Sequence, residues 1–293
     1  MQSPYKKVIV YDLETGGFNS ESNQVTEVAM VVVDLETLKI EDKFSSVISP
    51  VLDLKDRFMD SNKEAKAIFK AVAEKDPETK VPFIKYGGKD LTAKQLEVVE
   101  KDIDDFEMLL ERKGTTFNYE QYKVLEASKY GNIAKLYFDK VYNPQALKVT
   151  HMSKELLVKE GKDIDVVVEE VAAFIKKYTI GNAKPILAGH NIKKFDNPFL
   201  EKMLLRGKYD LNKMINETQM IDTLEWARLR WFEAPSFSLG VCVNAVGLTL
   251  KEAHRALPDT EANAQLLIKM MKGLRGEGST ETKYERRKFN FNF

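Results

Sequence analysis

The sequence has one cysteine, no net charge and no long apolar run. The lone Cys242 cannot form an internal disulfide, and it sits in the apolar stretch Leu239 to Leu248, which points to a reducing, cytoplasmic setting. With 45 basic and 45 acidic side chains the formal net charge is zero, which argues against a protein that coats nucleic acid through bulk basicity. A local basic strip beside an acidic site stays compatible with that balance. No stretch approaches the ~18 apolar residues of a membrane span, and Met1-Gln-Ser-Pro-Tyr-Lys-Lys leads straight into strand-forming residues. Neither secretion nor membrane insertion is expected. The 293 residues, 43% hydrophobic and 31% charged, have room for one large domain or two small ones.

The stretch that organises the chain is Val8-Ile9-Val10-Tyr11-Asp12-Leu13-Glu14. A β-branched run ending in two acids one residue apart reads as a buried strand that carries the acids out of the sheet into a cleft. Alternate strand residues share a face, so Asp12 and Glu14 lie side by side. Two carboxylates so close repel each other in an apolar setting unless a cation sits between them.

Thr15-Gly16-Gly17 turns the chain, Glu27 to Asp34 makes a second strand and Leu38 to Ser49 a third, an antiparallel meander closed by Pro50. From Val51 to Asn143 the β-branched runs vanish. Asn62 to Asp76 and Leu91 to Lys113 have apolar residues at helical spacing, Phe117 to Tyr130 reads as a third helix, and Pro77 to Gly88 as a loop. Strand character returns at Ala146 to Thr150, before His151-Met152-Ser153. Ile164 to Tyr178 keeps one apolar helical face, and Lys184 to Asn191 contains a short apolar strand. Pro198 fits the first turn of a helix ending near Gly207, which puts Asp196 at a strand-to-helix junction. Met220 to Thr223 suggests a last short strand and Ser238 to Val246 a helix. Pro258 fits the opening of a helix running to about Lys272, so Asp259 occupies its first turn, where the dipole favours a carboxylate.

Four carboxylates thus stand at the ends of regular elements: Asp12, Glu14, Asp196 and Asp259. Hard oxygen ligands suit magnesium or manganese rather than zinc. Two such ions about 3.5–4 Å apart can activate a water and stabilise a leaving oxygen in phosphodiester cleavage. His254, five residues before Asp259, supplies the general base that such a water still needs.

With these residues in view, the sequence resembles the DnaQ-like, DEDDh-type 3′-5′ exonuclease family of ribonuclease H-like fold. The resemblance rests on Asp12-Leu13-Glu14-Thr15-Gly16, on His190-Asn191-Ile192-Lys193-Lys194-Phe195-Asp196 and on His254-Arg255-Ala256-Leu257-Pro258-Asp259-Thr260-Glu261-Ala262. Val149 to Leu156 and Ile221 to Leu224 are secondary matches. The fold implied is α/β: a mixed five-stranded sheet flanked by helices, with a largely helical insertion after the third strand. The core then occupies residues 1–50 and 144–272, the insertion 51–143 and a tail 273–293.

The resemblance implies removal of nucleoside monophosphates from 3′ ends with two magnesium or manganese ions. Asp12, Glu14 and Asp259 would hold one ion, Asp12 with Asp196 the other, and His254 would take the proton from the attacking water. Leu13, Thr15, Gly16, Met152 and Asn191 would stand on the substrate side. Two departures mark this sequence. The middle motif has three residues, not the usual two, between Asn191 and Phe195-Asp196, and Met152 replaces the glycine of many relatives.

His151 and His190 read as structural or substrate-adjacent, and Asp222 as a helix cap or supporting group. The reading is a metal-dependent exonuclease acting on single-stranded ends, DNA favoured over RNA. Its rivals are an exoribonuclease of the same mechanism, since selectivity depends on contacts at the 2′ position, and a non-catalytic binding module on this fold. The insertion or the tail offers a contact for a polymerase or replication partner.

Overall fold

The computed structural model describes residues 6–53, 84–86, 89–91, 116–127, 135, 138–216, 219–250 and 254–277. Its centre is a five-stranded sheet in the order β3-β2-β1-β8-β9, built from β1 (Lys7–Thr15), β2 (Val25–Asp34), β3 (Ile40–Val47), β8 (Ile186–Gly189) and β9 (Ile221–Asp222). β1, β2 and β3 run antiparallel to one another as a meander. β8 then lies parallel to β1, and β9 parallel to β8, which makes the sheet mixed.

The period of two along β1 decides which helix each side chain meets. Ile9, Tyr11 and Leu13 point to one face, where Met30 and Val32 of β2 join Val167, Val171 and Ile175 of α4 (Ile164–Lys177) and Leu200 and Met203 of α5 (Asp196–Arg206). Val8 and Val10 point to the other, where they meet Val31, Val33 and Ala188 and then Ala264, Leu267 and Ile268 of α9 (Ala256–Leu274). Burying each such aliphatic side chain contributes about 1.5–3 kcal/mol. Both faces of β1 are covered, which is why its sequence is a continuous apolar run instead of an alternating one.

Between β3 and α4, the described parts are β4 (Val51–Asp53) paired with β7 (Thr116–Asn118), the hairpin β5 (Ile84–Tyr86) with β6 (Lys89–Leu91), and three helices: α1 (Tyr119–Glu126), α2 (Pro144–Val149) and α3 (Lys154–Glu160). Most of the expected helices Asn62 to Asp76 and Leu91 to Lys113 lies outside the described residues. The expected loop Pro77 to Gly88 contains β5, and the expected helix from Phe117 begins at Tyr119, because Phe117 pairs with Leu52 across β4 and β7. Ala146 to Val149 is helical, with Thr150 as the C-cap, and not a strand. Asn143 caps it, its side chain accepting from the amides of Gln145 and Ala146, and Pro144 fills the first turn, where no amide partner is needed. This local cap outweighs the β-branched ending Val149-Thr150.

The remaining helices are α6 (Leu211–Met214), α7 (Thr223–Arg230) and α8 (Leu239–Ala245). The expected last strand, the helix near 239–245 and the closing helix are all present, α9 running to Leu274. Among the described residues no helix is long and apolar enough to cross a membrane.

Candidate active site

The alternation of β1 places Asp12 and Glu14 on the same face as Val8 and Val10, the face that α9 covers. Asp259 lies in the first turn of α9. The three carboxylates therefore converge, each offering an oxygen within 4.8 Å of the others. Glu14 is buried, Asp12 and Asp259 half-buried. Asp259 Oδ2 accepts the His254 amide at 3.1 Å, while its Oδ1 is buried with no hydrogen-bond partner. An unpartnered buried carboxylate oxygen beside two further acids is costly unless a cation completes it. The donor set, all hard oxygen, fits a divalent cation of the magnesium class.

Asp196 opens α5 on the opposite face of the sheet, and its Oδ1 accepts the Leu13 amide at 3.2 Å. It stands beside the three-acid cluster rather than within it. Its carboxyl is almost fully buried, and that desolvation pushes it up to about 7. Desolvation also holds Asp12 well above the usual carboxylate range, reinforced by the charges of Asp196, Glu14 and Asp259. Glu14 is pushed up to about 8 by burial and then by Asp259, Glu27 and Asp196, with Arg255 pulling the other way. Asp259 is raised by burial too. Three clustered acids with a fourth beside them cannot all ionise cheaply without compensating positive charge.

His254 is exposed and sits in left-handed backbone, φ 70°, on the turn that its amide ties to Asp259. His151 has φ 54°, and its ring faces that of His254 at 6.5 Å between centroids. Asn191 has φ 69°, and Asp222 holds that corner by accepting the Asn191 amide at 2.9 Å while it caps α7 through Leu224. Non-glycine residues in this region are costly and cluster at functional sites. His190 is structural: Nε2 meets the Phe237 carbonyl at 2.8 Å and Nδ1 the Thr223 hydroxyl at 3.0 Å.

The expected substrate residues are mostly inward. Leu13, Thr15 and Met152 are buried, and the Thr15 hydroxyl donates to the Gly17 carbonyl at 2.7 Å. Gly16 makes a close approach: its carbonyl accepts the Asn143 amide at 2.7 Å, and a Cβ there would stand 2.4 Å from the Val141 oxygen. Three residues of interest escaped the sequence reading. Phe18, 90% exposed after the turn that follows β1, lies 6.2 Å from the ring of Phe195, the residue before Asp196. Glu27 and Arg255 form a bidentate pair behind Glu14. The signal for Glu27 was present, since a charge inside the run Val-Thr-Glu-Val-Ala-Met-Val-Val-Val demands a partner.

Residues 131–267 match the model of the RNase_T family, described as exonuclease. Over that segment, just under half of its length, the chain is similar to this exonuclease family. The matched segment holds Asp196, His254 and Asp259, and β1 contributes its two acids from outside it. Over 200 residues the chain is 29% identical to the PolC-type DNA polymerase III of Staphylococcus aureus, covering 65% of this chain and 13% of that protein. The chain therefore spans about one-eighth of the length of the curated relatives it matches. Among solved structures, the zinc-bound complex of E. coli exonuclease I with single-stranded DNA aligns with a TM-score of 0.54 at 13% identity, over 93% of this chain and 41% of that one. E. coli exonuclease I with a dT13 oligonucleotide gives 0.52 at 13% identity, over 92% and 42%. These similarities establish the same mixed-sheet fold.

Proposed function

We propose that this protein is a metal-dependent 3′-5′ exonuclease that releases nucleoside monophosphates from single-stranded DNA ends. The observation that carries the reading is the convergence of Asp12, Glu14 and Asp259 within 4.8 Å, with the buried Asp259 Oδ1 lacking any other partner. Asp12, Glu14 and Asp259 would hold one magnesium or manganese ion, and Asp12 with Asp196 a second. Such ions lower the pKa of water and neutralise charge on a leaving oxygen.

The remaining steps belong to the chain itself. The exposed His254 imidazole accepts the proton of the attacking water, and the hydrogen bond from its amide to Asp259 keeps it beside the acids. The Leu13 amide fixes Asp196 against the strand that carries Asp12. Phe18 offers a flat apolar face next to Phe195, and successive bases of a single strand stack on such rings. A paired duplex keeps its base faces covered, so the exposed ring favours single strands. The solved complexes of E. coli exonuclease I with single-stranded DNA and with dT13 support the same substrate class. The PolC-type similarity supports a replication setting, with a polymerase or replication partner as the proposed contact.

A product assay on 5′-labelled single-stranded DNA and RNA tests the reading. With magnesium, the label should pass through a ladder of progressively shorter DNA strands, and chelation should stop it. A labelled mononucleotide released at once would mean attack from the 5′ end. Faster shortening of RNA than DNA would establish the exoribonuclease instead.

A further inference from the structure

Glu27 is a buried acid, 4% exposed, near the start of β2, and it is not one of the three clustered acids. Register places it directly opposite Glu14 on the neighbouring strand, so the two share the face covered by α9. Like charges in that position destabilise a sheet. The compensation comes from the far end of the sequence. Arg255 Nε donates to Glu27 Oε2 and Arg255 Nη2 to Oε1, both at 3.1 Å, and the Ala256 amide donates to Oε2 at 3.1 Å. Arg255 is the cap residue of α9, and its own side chain makes no cap hydrogen bond. Glu27 supplies that cap from another element.

We propose that Glu27 is a positioning residue: through Arg255 and the Ala256 amide it fixes the His254 turn and Asp259 against the strand that carries Asp12 and Glu14. The inference rests on the exonuclease reading above. Asp12 and Glu14 arrive on β1, whereas Asp259 arrives on a helix whose contact with the sheet is apolar and non-directional. Val8, Val10, Ala264 and Leu267 hold that helix down without fixing its roll or slide. The fork between Arg255 and Glu27 is directional, and it lies one residue from His254 and one strand from Glu14. Apolar residues of similar volume at 27 and 255 would serve the fold as well. They would leave the turn free to shift, and a ~1 Å displacement at a reacting centre costs about 10²-fold in rate.

The test uses Glu27→Gln, Arg255→Gln and the double variant on the full chain, with three readouts. These are manganese affinity by calorimetry, kcat and KM on a labelled single strand, and the melting temperature of the chelated protein. Glu27→Gln keeps the shape and an acceptor for the Ala256 amide but removes the charged fork. Manganese affinity and kcat should each fall about 10- to 100-fold. KM for the strand should hold, and the chelated melting temperature should stay level or rise. The double variant should be no worse than either single one, because both remove the same interaction. Arg255 is partly exposed, so Arg255→Gln carries the test by itself should Glu27→Gln fail to fold. Wild-type manganese affinity and kcat in a folded variant would overturn the inference, as would losses that merely track a collapsed melting temperature. A wild-type protein that neither bound manganese nor shortened strands would overturn the exonuclease reading itself.

Discussion

The Leu13 amide donates to Asp196 Oδ1 at 3.2 Å, so the first residue of α5 is pinned to β1 midway between Asp12 and Glu14. Asp196 is thereby held beside the cluster although it belongs to the opposite face of the sheet. Asp196→Asn retains an oxygen for the Leu13 amide and removes a buried charge. Strand cleavage should fall by ~10²-fold or more, since metal-ligand charge supplies several kcal/mol of transition-state stabilisation. Melting temperature should stay level or rise. A variant with wild-type turnover would remove Asp196 from the mechanism.

The raised carboxyls make the metal-free protein pH-sensitive. Glu14 is pushed up to about 8 and Asp196 up to about 7, against an ordinary carboxylate range near 4. The folded state then binds more protons than the unfolded one, so this contribution to stability is complete at acid pH and is lost as pH rises through those values. In chelator, the melting temperature should decline between about pH 5 and 8. Manganese should restore it by a margin that widens with pH, because bound ions need the ionised acids. A flat chelated profile would contradict the assignment of a strained acid cluster.

His254→Ala tests the proton acceptor. Turnover should fall by about 10²- to 10⁴-fold while strand affinity holds. Weaker binding at unchanged turnover would make His254 a substrate contact instead.

Phe18 carries the claim about single strands. Phe18→Ala should weaken strand binding by about 5- to 150-fold, the equivalent of ~1–3 kcal/mol for one stacked base, with kcat little changed. Phe18→Trp should restore it. Equal activity of Phe18→Ala and wild type on long strands would show that the exposed ring takes no base.

The elements with a strong period were legible in the sequence. β1, β2, α4 and α9 follow from unbroken apolar runs or a helical stripe. The positions of Asp12 and Glu14 toward the end of β1, of Asp196 at the start of α5 and of Asp259 in the first turn of α9 were legible in the same way. Ala146 to Thr150 was misread because β-branched residues spoke for a strand while the deciding signal was the Asn143-Pro144 cap just upstream. Phe18 stood in a turn, where sequence assigns no direction to a side chain. Glu27 could be recognised as an anomalous charge, yet its partner Arg255 lies 228 positions away, and only the folded chain brings them together. Leu13 turns inward by the same alternation as Ile9 and Tyr11, whereas the burial of Met152 was beyond periodicity, because it follows the helix Pro144–Val149 that was expected to be a strand.

The central claim is that Asp12, Glu14 and Asp259 hold a divalent ion on which strand shortening depends. It is tested most directly by titrating manganese into the chelated wild-type protein and into Asp12→Ala while following a 5′-labelled single strand. Wild type should bind manganese and shorten the strand from its 3′ end in parallel with site occupancy. Asp12→Ala, still folded, should bind far more weakly and leave the strand intact. An Asp12→Ala protein that shortened the strand at the wild-type rate, or a chelated wild type that did so, would contradict the account.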